Sequence, residues 1–283
     1  MNSNNASRVI KYYAQFRTST FCLALLFCGY CGALSSEKID VSGVCFTEKQ
    51  RRVADQIVSV FENNTPVIQY QYSETLGDGR GITAGRAGFT SATGDMYLVV
   101  SEYTKRAPGN ALEKYLPRLR YLAKKYSGST RKLSGLNEAW HSASTDSRFR
   151  QVQDEVVNQL YYNNAVTHTR DIPATHALSL LILYDTIIQH GDGTDPDGLP
   201  ALIRRTRKIL KGADVTEKQW NTEFLKQRRL TLSHASSRST RKVWAESVGR
   251  VDTLQALVDS ENNHLHKRID INTWGTAFSI KAE

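Results

Sequence analysis

Two carboxylates stand out for what their surroundings would do to them. Glu62 lies at the end of TEKQRRVADQIVSVFENN (47–64), where Val53, Ile57, Val60 and Phe61 recur at helical intervals. A helix C-terminus and apolar neighbours both disfavour a charged carboxylate, so Glu62 is expected to hold its proton and act as an acid. Asp78 lies in GDGRG (77–81), among exposed backbone amides and two residues before Arg80. That setting favours the ionised form, which suits a general base. Two carboxyl groups pushed in opposite directions are the pattern of glycoside hydrolysis. Spacing alone leaves open a plain helix-end Glu and a plain turn Asp.

The elements that must position this pair are legible in outline. Thr47 and Gln50 have capping-box spacing, and Asn63, Asn64 and Pro66 are stop signals. VIQYQYSETL (67–76) alternates, with Ile68, Tyr70 and Tyr72 on one face, and predicts a short strand. ITAGRAGFT predicts a second strand or an irregular return, so a small antiparallel hairpin or sheet is expected. Gly77, Gly79, Gly81 and Gly85 let the backbone approach a bulky ligand. A phosphate cradle is excluded by the lack of a Walker pattern or βαβ context. After Asp95 the chain reads as helical almost to its end. The segment 174–191, ATHALSLLILYDTIIQHG, is apolar nearly all round, which predicts a buried central helix. SHASSRSTRK (233–242) reads as a surface loop.

The 283 residues suffice for one sizeable domain or one domain in two lobes. Formal net charge is +9, yet the bases are scattered and form no basic-aromatic module, so a nucleic-acid partner is not expected. Arg8, Lys11 and Arg17 precede the apolar run FCLALLFCGYCGAL, the order of a secretory signal peptide. Residues 1–33 are read as that export segment, 34–44 as a short linker and 45–283 as one catalytic domain. Loss of three bases and no acid would take the charge from +9 to +6. Cys22, Cys28 and Cys31 would go with it, leaving Cys45 without an internal disulfide partner. A secreted monomer with no stable membrane association is expected.

Around the two carboxylates the resemblance becomes specific. The stretch ENN…QYQYSETLGDGRGITAGRAGFTSATGDM, continuing to YTKRAPGNALEKYLP, resembles the glycoside hydrolase family 46 chitosanases. Further matches follow at Trp140, Asp146 and Phe149, at YDTIIQHG (184–191) and at RVDT (250–253), so the likeness runs from about residue 45 onward. It implies a mainly α, lysozyme-like α+β fold: two mostly helical lobes, a small antiparallel sheet beside a cleft, and a long central helix at 174–190. It implies inverting endo-hydrolysis of chitosan, a β-1,4-linked glucosamine polymer, without a cofactor or metal. Glu62 would be the general acid and Asp78 the general base. Thr83 would hold the attacking water and Arg80 would tune the carboxylates. Asp95 matches the principal acidic sugar contact. Glu74, Tyr72, His190 and Tyr161 match other cleft positions.

The resemblance also gives the acidic residues a purpose. Protonated glucosamine is a cation, and Glu74, Asp78 and Asp95 can pair with its ammonium groups. The positive net charge opposes such a substrate weakly, because salt screens it beyond about 8 Å. Asp185 falls within the apolar helix, where an unpaired charge is costly. Arg228 and Arg250 match positions that pair with it, which implies a buried Arg-Asp-Arg network behind the site. The insertion at 233–249 and the lack of an acid near Ala235 depart from the family pattern at the far subsites. GDGTDPDG (191–198) lacks the order of an EF-hand, and the histidines lack zinc spacing, so no metal is expected.

Overall fold

The structure is a computed structural model that describes residues 43–281, except 78, 212, 213, 237–240 and 274. The proposed export segment and nearly all of the linker therefore lie outside the described residues, as do Asp78 and Trp274. Among the described residues the chain is mainly helical with two small antiparallel sheets, a lysozyme-like α+β arrangement.

Helix α1 spans Glu48–Asn63 and starts as expected, with the reciprocal Thr47–Gln50 capping box. It stops where Asn64 turns left-handed at φ 52° and returns its N–H to the Val60 carbonyl. A three-stranded sheet follows, β1 (Ser73–Thr75), β2 (Ile82–Ala84) and β3 (Phe89–Thr90), paired in that order.

The strand expected over 67–76 is real only at its end. The Tyr70 carbonyl accepts from Trp140 Nε1 at 3.0 Å and Gln153 Nε2 at 3.1 Å, and Tyr72 N–H turns back to the Gln69 carbonyl. With side chains and a local turn using these groups, no ladder can form there.

Helix α2 (Asp95–Arg106) packs on α3 (Leu116–Lys125), which a 3₁₀ turn introduces and which has Pro117 in its first turn. Helices α4 (Leu136–Ala143) and α5 (Ser147–Val157) follow. The expected helix over 147–166 is interrupted by a π turn at Asn158–Tyr162 before α6 (Asn163–Thr169).

Helix α7 (Ala177–His190) is buried at every residue. It meets α1, the π turn and α6, and also α8 (Leu199–Ile209), α9 (Glu217–Ser233) and α11 (Gly249–Asp259). A helix hydrophobic all round is stable only in such a position. The short α10 (Arg241–Glu246) replaces the last part of the expected 233–242 loop, and α9 occupies its first residue.

The chain does not stay helical to its end. Strands β4 (Ile269–Thr273) and β5 (Thr276–Ile280) form a hairpin, with Ile269, Ile271 and Thr273 buried and Asp270 and Asn272 exposed. That period of two, with Gly275 at φ 73°, is a strand signal within IDINTWGTAFSI. Trp220 is buried in the core. Among the described residues no helix is long and apolar enough to cross a membrane.

Candidate active site

Glu62 is the penultimate residue of α1, with Phe61 and Val60 buried before it. Its own side chain is 13% exposed, so one face reaches solvent. Arg250 Nη2 donates to Glu62 Oε1 at 3.0 Å and to Asp185 Oδ1 at 2.5 Å. The Arg250 guanidinium also lies 5.1 Å from the centre of the Phe61 ring. Helix end and apolar stripe are as the sequence predicts, and Arg250 is the cation in contact with the carboxyl.

Asp185 is wholly buried on α7, and its second oxygen pairs with Arg228 Nη1 at 2.6 Å. Burial opposes its charge, but Arg250 and Arg228 outweigh it and hold its carboxyl below the usual range. The Arg-Asp-Arg network is thus present, with Glu62 at its outer end. Arg228 continues it inward, donating from Nη2 to Gln189 Oε1 at 2.6 Å and from Nε to His190 Nε2 at 3.3 Å.

His190 is the clearest departure from expectation. It is 1% exposed, not on a cleft wall. Its Nε2 accepts from Arg228, and its Nδ1 donates to the Asp197 carbonyl at 2.9 Å. Burial, and then Arg228, push its pKa well below the ordinary value, so it stays neutral. Both ring nitrogens are used inside the protein, which removes His190 from direct sugar contact. Tyr161 is also buried, within the π turn.

The sheet carries a further acid, Glu74. Residues directly paired across antiparallel strands share a face. The register sets Glu74 opposite Thr83 and Thr83 opposite Thr90, so all three line one face. Tyr72 donates its hydroxyl to Glu74 Oε2 at 3.0 Å. Thr83 is buried, and its Oγ1 has no partner among the described residues. Thr90 shares a 2.6 Å hydroxyl contact with Thr93. Asp95, the first residue of α2, receives the Thr90 N–H at 2.8 Å, the Thr93 hydroxyl at 2.7 Å and the Met96 N–H at 2.9 Å, all on Oδ1. These bonds leave its other oxygen without a hydrogen bond from the described residues.

Asp78 lies outside the described residues, but the turn around it is constrained. Gly77, Gly79 and Gly81 have φ of 72°, 83° and 81°, values that disfavour any side chain. Ser91 Oγ accepts from the Ile82 N–H at 3.1 Å and donates to the Arg80 carbonyl at 3.4 Å. Gly128 packs on the turn so closely that a methyl group there would lie 1.8 Å from the Gly79 carbonyl oxygen. Arg80 is buried in this turn.

The arrangement is a half-buried carboxyl at a helix end, an acid-bearing sheet, and a braced glycine turn in the connection between two of its strands. The model of glycosyl hydrolase family 46 matches residues 56–269. The chain belongs to glycosyl hydrolase family 46. Other comparisons agree with that membership. A chitosanase of Bacillus subtilis strain 168 is 44% identical over 262 residues, covering 91% of this chain and 94% of the relative. A family 46 chitosanase of Gynuella sunshinyii, solved in complex with chitotetraose, is 49% identical. It superposes with a TM-score of 0.76 and covers 83% of this chain and 99% of its own. The native chitosanase of Bacillus subtilis MY002 is 45% identical with a TM-score of 0.77, covering 84% and 100%.

Within this family 46 chain, residues Glu62, Asp185, Arg228 and Arg250 come together as one network, and Tyr72, Glu74, Thr83 and Asp95 gather at the sheet and the helix start beside it. Sequence reasoning missed Ser91 and Gly128, which hold the turn. Gly128 lies nearly fifty residues along the chain from the turn it packs against, and no local pattern marks that contact. Among the described residues no group of three or more His, Cys, Asp or Glu is placed to hold a metal ion. The acids of the 191–198 loop hold it and tie it to its neighbours: Asp195 Oδ1 accepts the Asp197 N–H at 3.0 Å, Asp197 Oδ2 accepts the Ser236 N–H at 2.8 Å, and Asp192 Oδ1 lies 2.7 Å from His168 Nε2.

Proposed function

We propose that Glu62 is the general acid and Asp78 the general base in endo-hydrolysis of chitosan with inversion. Family membership carries the reaction. The observation that carries the assignment is Glu62, half-buried at a helix end and held by an arginine fixed on buried Asp185. Glu62 gives its proton to the glycosidic oxygen as the bond to the anomeric carbon breaks. Asp78 removes a proton from water, which attacks the opposite face of the sugar, so the configuration inverts. Room for that water requires the two carboxyl groups to stand about 6.5–9.5 Å apart.

The supporting roles follow from chemistry. The hydroxyl of Thr83, buried and without a partner among the described residues, suits a water held for attack. Once Glu62 has lost its proton, Arg250 stabilises the carboxylate left behind. Asp185 and Arg228 keep Arg250 in place, and Arg80 tunes the turn that carries Asp78. Asp95 and Glu74 pair with glucosamine ammonium groups, with Tyr72 beside Glu74. The protein is exported, to act extracellularly or in the periplasm, after loss of residues 1–33, as one catalytic domain from residue 45.

The test is viscosity and product size on soluble chitosan beside a fully N-acetylated polymer. A fast viscosity drop with short-chain products on chitosan, and little on the acetylated polymer, is expected. Preference for the acetylated polymer would overturn the role given to Asp95 and Glu74.

A further inference from the structure

Besides the network at Glu62, α1 carries a second buried ionic cluster. Asp55 stands seven residues before Glu62, two helical turns away, so both face the same side of the helix. Asp55 Oδ1 receives Arg86 Nη2 at 3.0 Å and the Tyr184 hydroxyl at 3.2 Å, and Oδ2 receives Arg51 Nε at 3.0 Å. Arg86 comes from the β2–β3 turn, two residues beyond the end of β2. Its side chain is 7% exposed, and its other arm pairs with Asp154 on α5. Its backbone N–H donates to Gln153 Oε1 at 3.1 Å. Burial works against its charge, and Asp55 and Asp154 outweigh that burial, so the guanidinium stays ionised.

The turn is placed for this contact. Gly85 has φ 74°, and a methyl group on it would lie 2.5 Å from Gln153 Oε1 and 2.9 Å from Trp140. Helix α7 anchors both clusters with adjacent residues: Tyr184 holds Asp55, and Asp185 holds the arginine that reaches Glu62. The helix bearing the acid and the sheet bearing Thr83 are therefore joined directly by one ion pair.

We propose that Arg86 is a positioning residue that, through Asp55, sets the gap between the Glu62 helix and the sheet with its catalytic turn. This rests on the reading of Glu62 and Asp78 as the reacting pair. An inverting reaction is sensitive to that gap, because one water must fit within it. Its two arms separate positioning from stability. The Asp55 arm reaches the catalytic helix; the Asp154 arm reaches α5, which carries no proposed reacting group.

The experiment compares Asp55→Asn, Asp55→Glu, Arg86→Met and Asp154→Asn, with Glu62→Gln as a reference. kcat and KM on chitosan are measured separately, well below each variant's melting temperature. Arg86→Met and Asp55→Asn are expected to lose about 10²-fold in kcat, the scale of a 1 Å misplacement, with KM within about 3-fold of wild type. Asp55→Glu keeps the charge but lengthens the tie, so it is expected to lose kcat at a melting temperature near wild type. Asp154→Asn is expected to lower the melting temperature and keep kcat within about 3-fold. If Asp55→Asn and Asp154→Asn lost kcat alike, or Asp55→Glu kept full turnover, Arg86 would be a structural residue only. A fully active Glu62→Gln would instead overturn the underlying pair.

Discussion

Glu62 and Asp185 share one nitrogen. Arg250 Nη2 lies 3.0 Å from the first carboxylate and 2.5 Å from the second. The partly exposed acid is thereby linked to a wholly buried one, and the position of Glu62 depends on a charge balance inside the core.

Arg250→Ala leaves Asp185 with Arg228 alone. Removing one partner of a buried pair costs about 3–5 kcal/mol, which thermal melting reads. Arg250→Lys keeps the charge but cannot reproduce the guanidinium's shared donation. Its kcat is expected to fall by about 10-fold or more, as for a lost transition-state contact, at a milder cost in melting temperature. Equal kcat for Arg250→Lys and wild type would separate the network from catalysis.

Gly128→Ala tests the brace behind the catalytic turn. Its methyl group would meet the Gly79 carbonyl at 1.8 Å, so one backbone must retreat by roughly an ångström. A kcat loss of about 10²-fold with little change in KM is expected. A variant with normal turnover and a normal melting temperature would show that the turn does not rest on this contact.

Glu217 predicts an acid limb of stability. Burial raises its pKa, but Ser179, Thr175 and His176 hydrogen bonds prevail and bring it to about 2. A depressed carboxylate stabilises the fold above its unfolded pKa and loses that effect as pH falls through the folded value. Wild type should therefore melt higher than Glu217→Gln at pH 6, and the gap should close between about pH 4 and pH 2. A gap that persisted at pH 2 would contradict the assignment.

His168 predicts the opposite limb. Its bond to Asp192, at 2.7 Å, raises its pKa over the effect of burial, and Asp171 adds to the rise. A raised histidine stabilises below its unfolded pKa, and the effect is lost as pH rises through the folded value. The melting-temperature advantage over His168→Gln should be full at pH 5.5 and shrink above pH 6.5. An advantage that grew with pH would reverse the sign and refute the pairing.

Much of the site was legible because its signals are local. The capping box, the helix period and the two asparagines place Glu62, and the glycines mark the turn of Asp78. Asp185 betrays its network because an acid in an all-apolar helix needs a partner. Tyr70 does not join the expected strand because Trp140 and Gln153, 70 and 83 residues away, claim its carbonyl. His190 was misplaced because sequence likeness gives a position, not which way a ring faces. Arg86 carried no signal, since its meaning lies in Asp55 and Asp154. The final hairpin departs from the helical reading because IDINTWGTAFSI alternates with a period of two, not with the helical period of the segments before it.

The most direct test is the rate of chitosan cleavage and the anomeric form of the first product, followed by NMR, for wild type beside folded Glu62→Gln and Asp78→Asn. Wild type is expected to release the α-anomer from the β-linkage, with both variants slower by several orders of magnitude. A first product that retains the β form, or a variant that keeps wild-type turnover, would contradict the two-carboxylate account.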